Sequence, residues 1–148
     1  MNIAVILAGG SGTRLGNDIP KQFLKVAGKK VLEHTIEVFE NAKNIDEICI
    51  VSRIDCINDV ESIVVNNGYL KVKKILAGGK ERYDSSLAAI HAYPNGNHNL
   101  LFHDAVRPLL TERIINDCLS ALEKYNAVDV AIKTTDTIIQ VDEQKCIT

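Results

Sequence analysis

The sequence has little of what marks a membrane, secreted or nucleic-acid-binding protein. No stretch of its 148 residues approaches the ~20 consecutive apolar residues of a membrane span, and the apolar start from Ile3 to Ala8 meets glycines too soon for a signal peptide. No polybasic run advertises a nucleic-acid backbone or an anionic lipid surface: the formal charge is -2 and the pI about 6.1, from mixed acids and bases. The four cysteines, Cys49, Cys56, Cys118 and Cys146, form no CxxC pair, and His34, His91, His98 and His103 show no zinc-ligand spacing. Reduced, mostly buried thiols are the expectation, with neither a disulfide nor a structural metal site. Repeats, low-complexity segments and interdomain linkers are also missing. These absences leave a cytoplasmic protein with a small-molecule partner.

What is present suits one folded domain: 46% hydrophobic and 24% charged residues over a length able to bury a core. Short apolar runs at Ile3–Leu7, Ile48–Val51, Val72–Leu76, Leu100–Phe102 and Val128–Ile132 predict five strands, several rich in Val and Ile as strands buried on both faces tend to be. Helix-period segments lie between them: Leu32, Ile36 and Phe39; Val60, Ile63 and Val64; Leu87, Ile90 and His91; Ile114, Ile115, Cys118, Leu119 and Leu122. Thr111 is a predicted N-cap, and Asn95-Gly96-Asn97 a predicted turn. This alternation predicts an α/β fold, a three-layer Rossmann-like arrangement with a mostly parallel sheet, whose ligands bind beyond the carboxyl ends of the strands. A further strand or hairpin arm is predicted over Thr137–Val141; nothing follows that would close it, so the domain, 1–148, is expected to be shortened at its C-terminus.

Directly after the first strand comes Leu7-Ala8-Gly9-Gly10-Ser11-Gly12-Thr13-Arg14-Leu15-Gly16, where missing side chains let backbone N–H groups approach an anion. No Gly-Lys-Ser/Thr closes the loop as in a P-loop, and the Gly10, Gly12, Gly16 spacing is not GxGxxG. Arg14 and Lys21 instead place two cations where a triphosphate would lie, the arrangement that nucleotidyl transfer needs around its reacting phosphorus. The plain alternative is a tight turn with solvated charges. At the other predicted ligand-edge positions, Gly78-Gly79 precede Arg82-Tyr83-Asp84-Ser85, where Asp84 or Ser85 would serve equally as a helix cap, and His103-Asp104 end the fourth strand. A carboxylate there suits Mg²⁺, which takes few protein ligands, although an Asp after a strand is also an ordinary cap or turn residue. His103 reads as packed or hydrogen-bonded rather than as a base.

Taken in order, the run from Ala8 to Arg14 with Pro20-Lys21-Gln22-Phe23, then Gly78-Gly79-Lys80-Glu81-Arg82-Tyr83-Asp84-Ser85, then His103-Asp104-Ala105-Val106-Arg107-Pro108, and last Asp136-Thr137, resembles the cytidylyltransferases acting on D-ribitol 5-phosphate or 2-C-methyl-D-erythritol 4-phosphate. The resemblance covers essentially the whole chain. It implies transfer of CMP from CTP to a sugar-alcohol phosphate, with Mg²⁺ held by Asp104 and catalysis by Arg14 and Lys21. It also implies nucleotide contacts from Leu7, Ala8, Gly9, Gly10, Ser11, Gly12 and Thr13, cytidine contacts from Gly79, Lys80, Arg82 and Ser85, an acceptor contact from Thr137, and a supporting role for Arg107. A homodimer exchanging a protruding arm is implied too. Val106, where the methylerythritol enzymes more often carry Ala, with Ala127-Val128-Asp129 and Asp136-Thr137-Ile138-Ile139, leans toward the ribitol enzymes. Competing expectations are the methylerythritol enzyme, a nucleotide-binding module without catalysis, and a dinucleotide oxidoreductase; the last wants an acid just after the second strand, where Ser52-Arg53 stand with Asp55 close by.

Overall fold

The structure, a computed structural model, describes residues 1–10, 19–133, 135, 139–144 and 146. Six strands, β1 (Asn2–Ala8), β2 (Lys25–Val26), β3 (Lys29–Lys30), β4 (Glu47–Ser52), β5 (Val72–Ala77) and β6 (Asn99–Asp104), alternate with helices α1 (Val31–Asn41), α2 (Ile57–Asn67), α3 (Arg82–His91) and α4 (Glu112–Leu122). The main sheet is parallel throughout, in the order β5-β4-β1-β6, while β2 and β3 form a small antiparallel hairpin turning at Ala27-Gly28, both with positive φ. The order of winding therefore reverses beside β1: β4 and β5 are laid down on one side and β6 on the other, which opens a crevice at the carboxyl end of β1.

Burial explains the strand order. Ile3 to Ile6 of β1 and Ile48 to Ser52 of β4 are fully buried, because a helix layer covers each face of the two inner strands; β5 and β6 carry Lys73, Lys74, Asn99 and His103 and lie at the edges. Side chains alternate across the sheet. Ala4, Ile6, Ile48 and Ile50 meet Leu32, Ile36 and Phe39 of α1, Val60 and Ile63 of α2 and Ile115 of α4, whereas Ile3, Val5, Cys49 and Val51 meet α3 through Ala89 and, just beyond it, Tyr93. α2 ends on Gly68, whose left-handed φ of 66° lets the Gly68 and Tyr69 amides bond back to Val65 and Val64.

Four of the five predicted strands form, and the Asn95-Gly96-Asn97 turn is present with Gly96 at φ 66°. The fifth does not: Val128–Ile132 carries no regular secondary structure and no sheet pairing, Ile132 is 95% exposed, and the only partner of the Val130 amide among the described residues is the neighbouring Asp129 carboxylate. An apolar β-rich segment becomes a strand only where a sheet edge takes up its backbone groups, and here it stands beside β6 without pairing to it. The predicted buried face of α3 also shifts. Ser85 and Ala89 point inward while Ile90 and His91 are exposed, because only small side chains let the helix lie this close to the sheet. Thr111 stands at the N-cap position of α4, but its hydroxyl makes no capping bond. Of the predicted Thr137–Val141 arm, 137–138 lie outside the described residues.

Candidate active site

The carboxyl ends of all four main strands open onto one cleft of about 630 Å³, within the range typical of small-molecule sites. β1 supplies Leu7, Ala8, Gly9 and Gly10; β4 supplies Arg53; the β5–α3 turn supplies Gly79, Lys80, Glu81, Arg82 and Ser85; and the turn after β6 supplies Asp104, Ala105 and Val106. Lys21, first residue of a short 3-10 turn (Lys21–Phe23), closes the side beside β1. Residues separated by up to a hundred positions are thus brought together, and ten of the predicted site residues, Leu7, Ala8, Gly9, Gly10, Lys21, Gly79, Lys80, Arg82, Ser85 and Asp104, share this one wall. Ser11, Gly12, Thr13, Arg14 and Thr137 lie outside the described residues.

The local stitching is specific. Gln22, 2% exposed, donates from Nε2 to the Ala8 carbonyl at 2.9 Å and so ties the Lys21 turn to the start of the glycine loop. The Ala105 amide donates to the Leu7 carbonyl at 3.0 Å, and the buried Thr35 hydroxyl of α1 donates to the Ala105 carbonyl at 2.9 Å, which fixes the turn carrying Asp104. On the other side, the Gly78 amide donates to the Ser52 carbonyl at 2.7 Å, continuing the β4–β5 pairing to the rim of the cleft. A Cβ on Gly78 would stand 2.5 Å from Ser85 Oγ, and one on Gly79 would collide with the Asp84 side chain, so both glycines answer to the close approach of the loop to α3. Asp84 Oδ2 accepts the Glu81 amide at 3.0 Å at the helix start, which is the capping alternative for Asp84; Ser85 Oγ remains at the cleft wall, near Gly9 and Gly78.

Electrostatically the cleft favours an anion. Among the described residues, Lys21, Arg53, Lys80 and Arg82 face two lining carboxylates, Glu81 and Asp104. Asp104, its side chain 18% exposed, is engaged from two directions: Arg82 Nη1 pairs with Oδ1 and Arg107 Nε with Oδ2, the latter at 2.9 Å. Arg107 lines not this cleft but a second one over the exposed face of β6, into which Arg82, Asp104 and Val106 also project. His103 lines the second cleft rather than the first, edge-on to the Phe39 ring at 5.6 Å and 2.9 Å from the Arg107 carbonyl, the packed role expected for it. Arg53, Gln22 and Thr35 were not predicted site residues. Gln22 falls inside the Pro20-Phe23 motif, but no local pattern announces Thr35 or Arg53, whose guanidinium is oriented by a two-point pair with Asp55. That hydrogen-bonded guanidinium holds the Asp55 carboxyl below its ordinary range, and the acid sought for a dinucleotide ribose is thereby committed to an arginine.

For a divalent cation, no group of three or more His, Cys, Asp or Glu that could hold a metal occurs among the described residues. A closed protein cage is therefore not what these residues offer. A single shielded carboxylate at a strand end does fit Mg²⁺, which keeps most of its waters and binds substrate phosphates. No helix among the described residues is long and apolar enough to cross a membrane.

Residues 2–148 match the family described as IspD, 2-C-methyl-D-erythritol 4-phosphate cytidylyltransferase. Over 143 residues the chain is 52% identical to the bifunctional ribulose 5-phosphate reductase/CDP-ribitol pyrophosphorylase Bcs1 of Haemophilus influenzae, covering 95% of this chain and 30% of that protein. Over 140 residues it is 40% identical to the 2-C-methyl-D-erythritol 4-phosphate cytidylyltransferase of Thermobifida fusca, covering 93% and 56%. The crystal structure of 4-diphosphocytidyl-2C-methyl-D-erythritol synthase from Anaerococcus prevotii superposes with a TM-score of 0.82 at 30% identity, over 99% of this chain and 61% of that one. The chain thus spans less than two thirds of the length of each of these relatives. With a parallel α/β sheet, three of the motif segments meeting at its carboxyl edge and a match from residue 2 to 148, the chain belongs to the IspD family of cytidylyltransferases.

Proposed function

We propose that the chain carries the nucleotide site of a CTP-dependent cytidylyltransferase, and that the acceptor is D-ribitol 5-phosphate, giving CDP-ribitol and pyrophosphate. The observation that carries this reading is the convergence of the β1 loop, Lys21, the β5–α3 turn and Asp104 on one cationic cleft. An acceptor phosphate oxygen forms a bond to the α-phosphorus of CTP as the bond to the pyrophosphate oxygen breaks; no covalent enzyme intermediate is needed. The backbone of Gly9 to Gly12 cradles the triphosphate, with Leu7, Ala8, Ser11 and Thr13 completing the loop. Arg14 and Lys21 stabilise the charge growing on the α-phosphate, and Gly79, Lys80, Arg82 and Ser85 hold the cytidine part. Asp104 would hold Mg²⁺, which would supply charge neutralisation to the phosphates. Thr137 is assigned to the acceptor phosphate, Arg107 to support of the turn that carries Asp104, and the active form to a homodimer in the cytoplasm.

Ribitol is favoured over methylerythritol by Val106, which stands in the wall shared by the two clefts, and by the higher identity to the relative named for CDP-ribitol than to the one named for methylerythritol phosphate. Pyrophosphate release with each acceptor tests the choice; faster turnover with 2-C-methyl-D-erythritol 4-phosphate overturns it. Lys21→Ala should lower turnover about 100-fold or more while CTP affinity changes far less, because the ammonium acts on the transition state. An unchanged rate removes Lys21 from the mechanism, and CTP binding by the unmodified chain without any pyrophosphate release makes it a binding module.

A further inference from the structure

Arg53 lines the cleft but lies outside the four motif segments, and its surroundings say which part of a nucleotide it would meet. It follows β4, and β1 lies between β4 and β6, so roughly 10 Å of sheet separates its backbone from that of Asp104. The Gly78 amide bonds to the carbonyl of Ser52, the residue just before it, which sets Arg53 beside the β5–α3 turn that brings Gly79, Lys80 and Ser85 to the wall. Asp104 thus marks one end of the cleft, and Arg53 stands toward the other. Its charge is already balanced. Nε donates to Asp55 Oδ1 at 2.9 Å and Nη2 pairs with Oδ2, a two-point contact that uses two of the five guanidinium N–H groups and fixes the plane of the group. The outer edge of the guanidinium keeps one N–H on Nη1 and one on Nη2, side by side and parallel, on a side chain 39% exposed. A pair of this kind adds little to stability, so what it offers a ligand is direction more than net charge.

We propose that Arg53, aimed by Asp55, reads the base of the bound nucleotide: its two parallel N–H groups take the adjacent O2 and N3 acceptors of cytosine and so favour CTP over UTP. Cytosine presents two acceptors side by side on its pairing edge, which match the fork. Uracil keeps O2 but carries a proton on N3, which would set donor against donor and leave a polar group unpaired. Asp55 is a positioning residue that acts through Arg53. The proposal rests on the reading of the cleft as a CTP site, and it adds to that reading a residue that none of the motifs contains.

The test compares CTP and UTP binding to the 148-residue chain and to three variants by calorimetry with Mg²⁺ present, UTP being read by displacement of CTP. The unmodified chain should hold CTP about tenfold or more above UTP. Arg53→Ala should lose about tenfold in CTP affinity and less than about twofold for UTP, the scale of hydrogen bonds from a charged group. Arg53→Lys keeps the charge without the fork and should lose nearly as much of the preference. Asp55→Asn leaves the guanidinium but loosens its aim, so its CTP-to-UTP ratio should fall between those of the unmodified chain and Arg53→Ala. An equal fall for both nucleotides in Arg53→Ala would make the guanidinium a general electrostatic contact and overturn the proposal, as would an unmodified chain that does not distinguish them or an Arg53→Lys that keeps the full preference. An unchanged ratio in Asp55→Asn overturns the part given to Asp55. Failure of the underlying reading looks different: an unmodified chain that binds neither nucleotide has no CTP site, and the proposal falls with it.

Discussion

The two faces of the sheet are built differently. On one, α1, α2 and α4 bury a continuous apolar set, Ile6, Ile36, Phe39, Ile48, Ile50, Ile63 and Ile115 among them, with Thr35 the buried polar residue that reaches out of it to the Asp104 turn. On the other, α3 stands alone over a smaller cluster in which polar groups are mixed. The buried Cys49 lies beside Tyr93, whose hydroxyl is 3.4 Å from the Glu47 carboxylate, and Lys74 Nζ sits 3.9 Å over the Tyr93 ring while donating to the Ala92 carbonyl. α3 reaches β1, β4 and β5 but leaves Phe102 of β6 39% exposed on that face. The difference separates two tasks. Apolar area is what stabilises the domain, so the thick face holds the sheet together; the thin face keeps a short-sided helix close to the strands, and the start of that helix brings Arg82 and Ser85 to the cleft.

Substitutions on the two faces should therefore fail in different ways. Phe39→Ala empties the centre of the thick face and should cost about 3 to 5 kcal/mol in denaturant unfolding, enough to threaten folding altogether. A loss below about 1 kcal/mol would mean that this face is not the stabilising one. Ala89→Leu forces α3 away from β1 and β4; about 1 to 3 kcal/mol is expected from overpacking, together with weakened CTP binding seen by calorimetry, because Ser85 and Arg82 move with the helix. Were nucleotide binding untouched at that loss of stability, the link between the α3 packing and the site would be broken.

Thr35→Val is a smaller probe, on the thick face but aimed at the site. Removing the hydroxyl leaves the Ala105 carbonyl unpaired, for about 1 kcal/mol, and should lower Mn²⁺–CTP affinity by loosening the Asp104 turn. Thr35→Ser, which keeps the donor, should retain the affinity. The smallest effect is confined to alkaline pH. Burial pushes the Cys49 thiol from 9.0 up to about 11, so above pH 9 the unfolded chain ionises it while the native protein still holds the proton. The unfolded state then binds fewer protons, and stability falls as pH rises from 9 to about 11. Denaturation midpoints of the unmodified protein and Cys49→Ala, followed against pH, should diverge only in that window; parallel curves would show that the thin face does not hold the thiol protonated.

Much of this architecture was legible in the chain. The unbroken apolar runs of β1 and β4 declare strands buried on both sides, and the heptad-like spacing of Leu32, Ile36 and Phe39 declares the face of α1, because burial on a regular element repeats with the geometry of that element. The glycines and cations at the strand ends likewise mark, from sequence, the edge onto which the cleft opens. Periodicity misled where the partner surface, not the segment, decides. Leu87 and Ile90 look like the core stripe of α3, yet the close approach of the helix selects Ser85 and Ala89; Val128–Ile132 looks like a strand, yet stands unpaired beside β6.

Sequence alone determined the order of the four main strands and four helices, the parallel α/β class and the residue types gathered at the carboxyl edge, since each depends on local spacing or on a motif contiguous in the chain. Only tertiary structure decided the strand order that places the crevice beside β1, the bonds from Gln22 and Thr35 that hold its two walls, and the sharing of Asp104 between Arg82 and Arg107. Those are contacts between residues 14 to 70 positions apart, or between competing partners, and no local period encodes which distant group a side chain will meet.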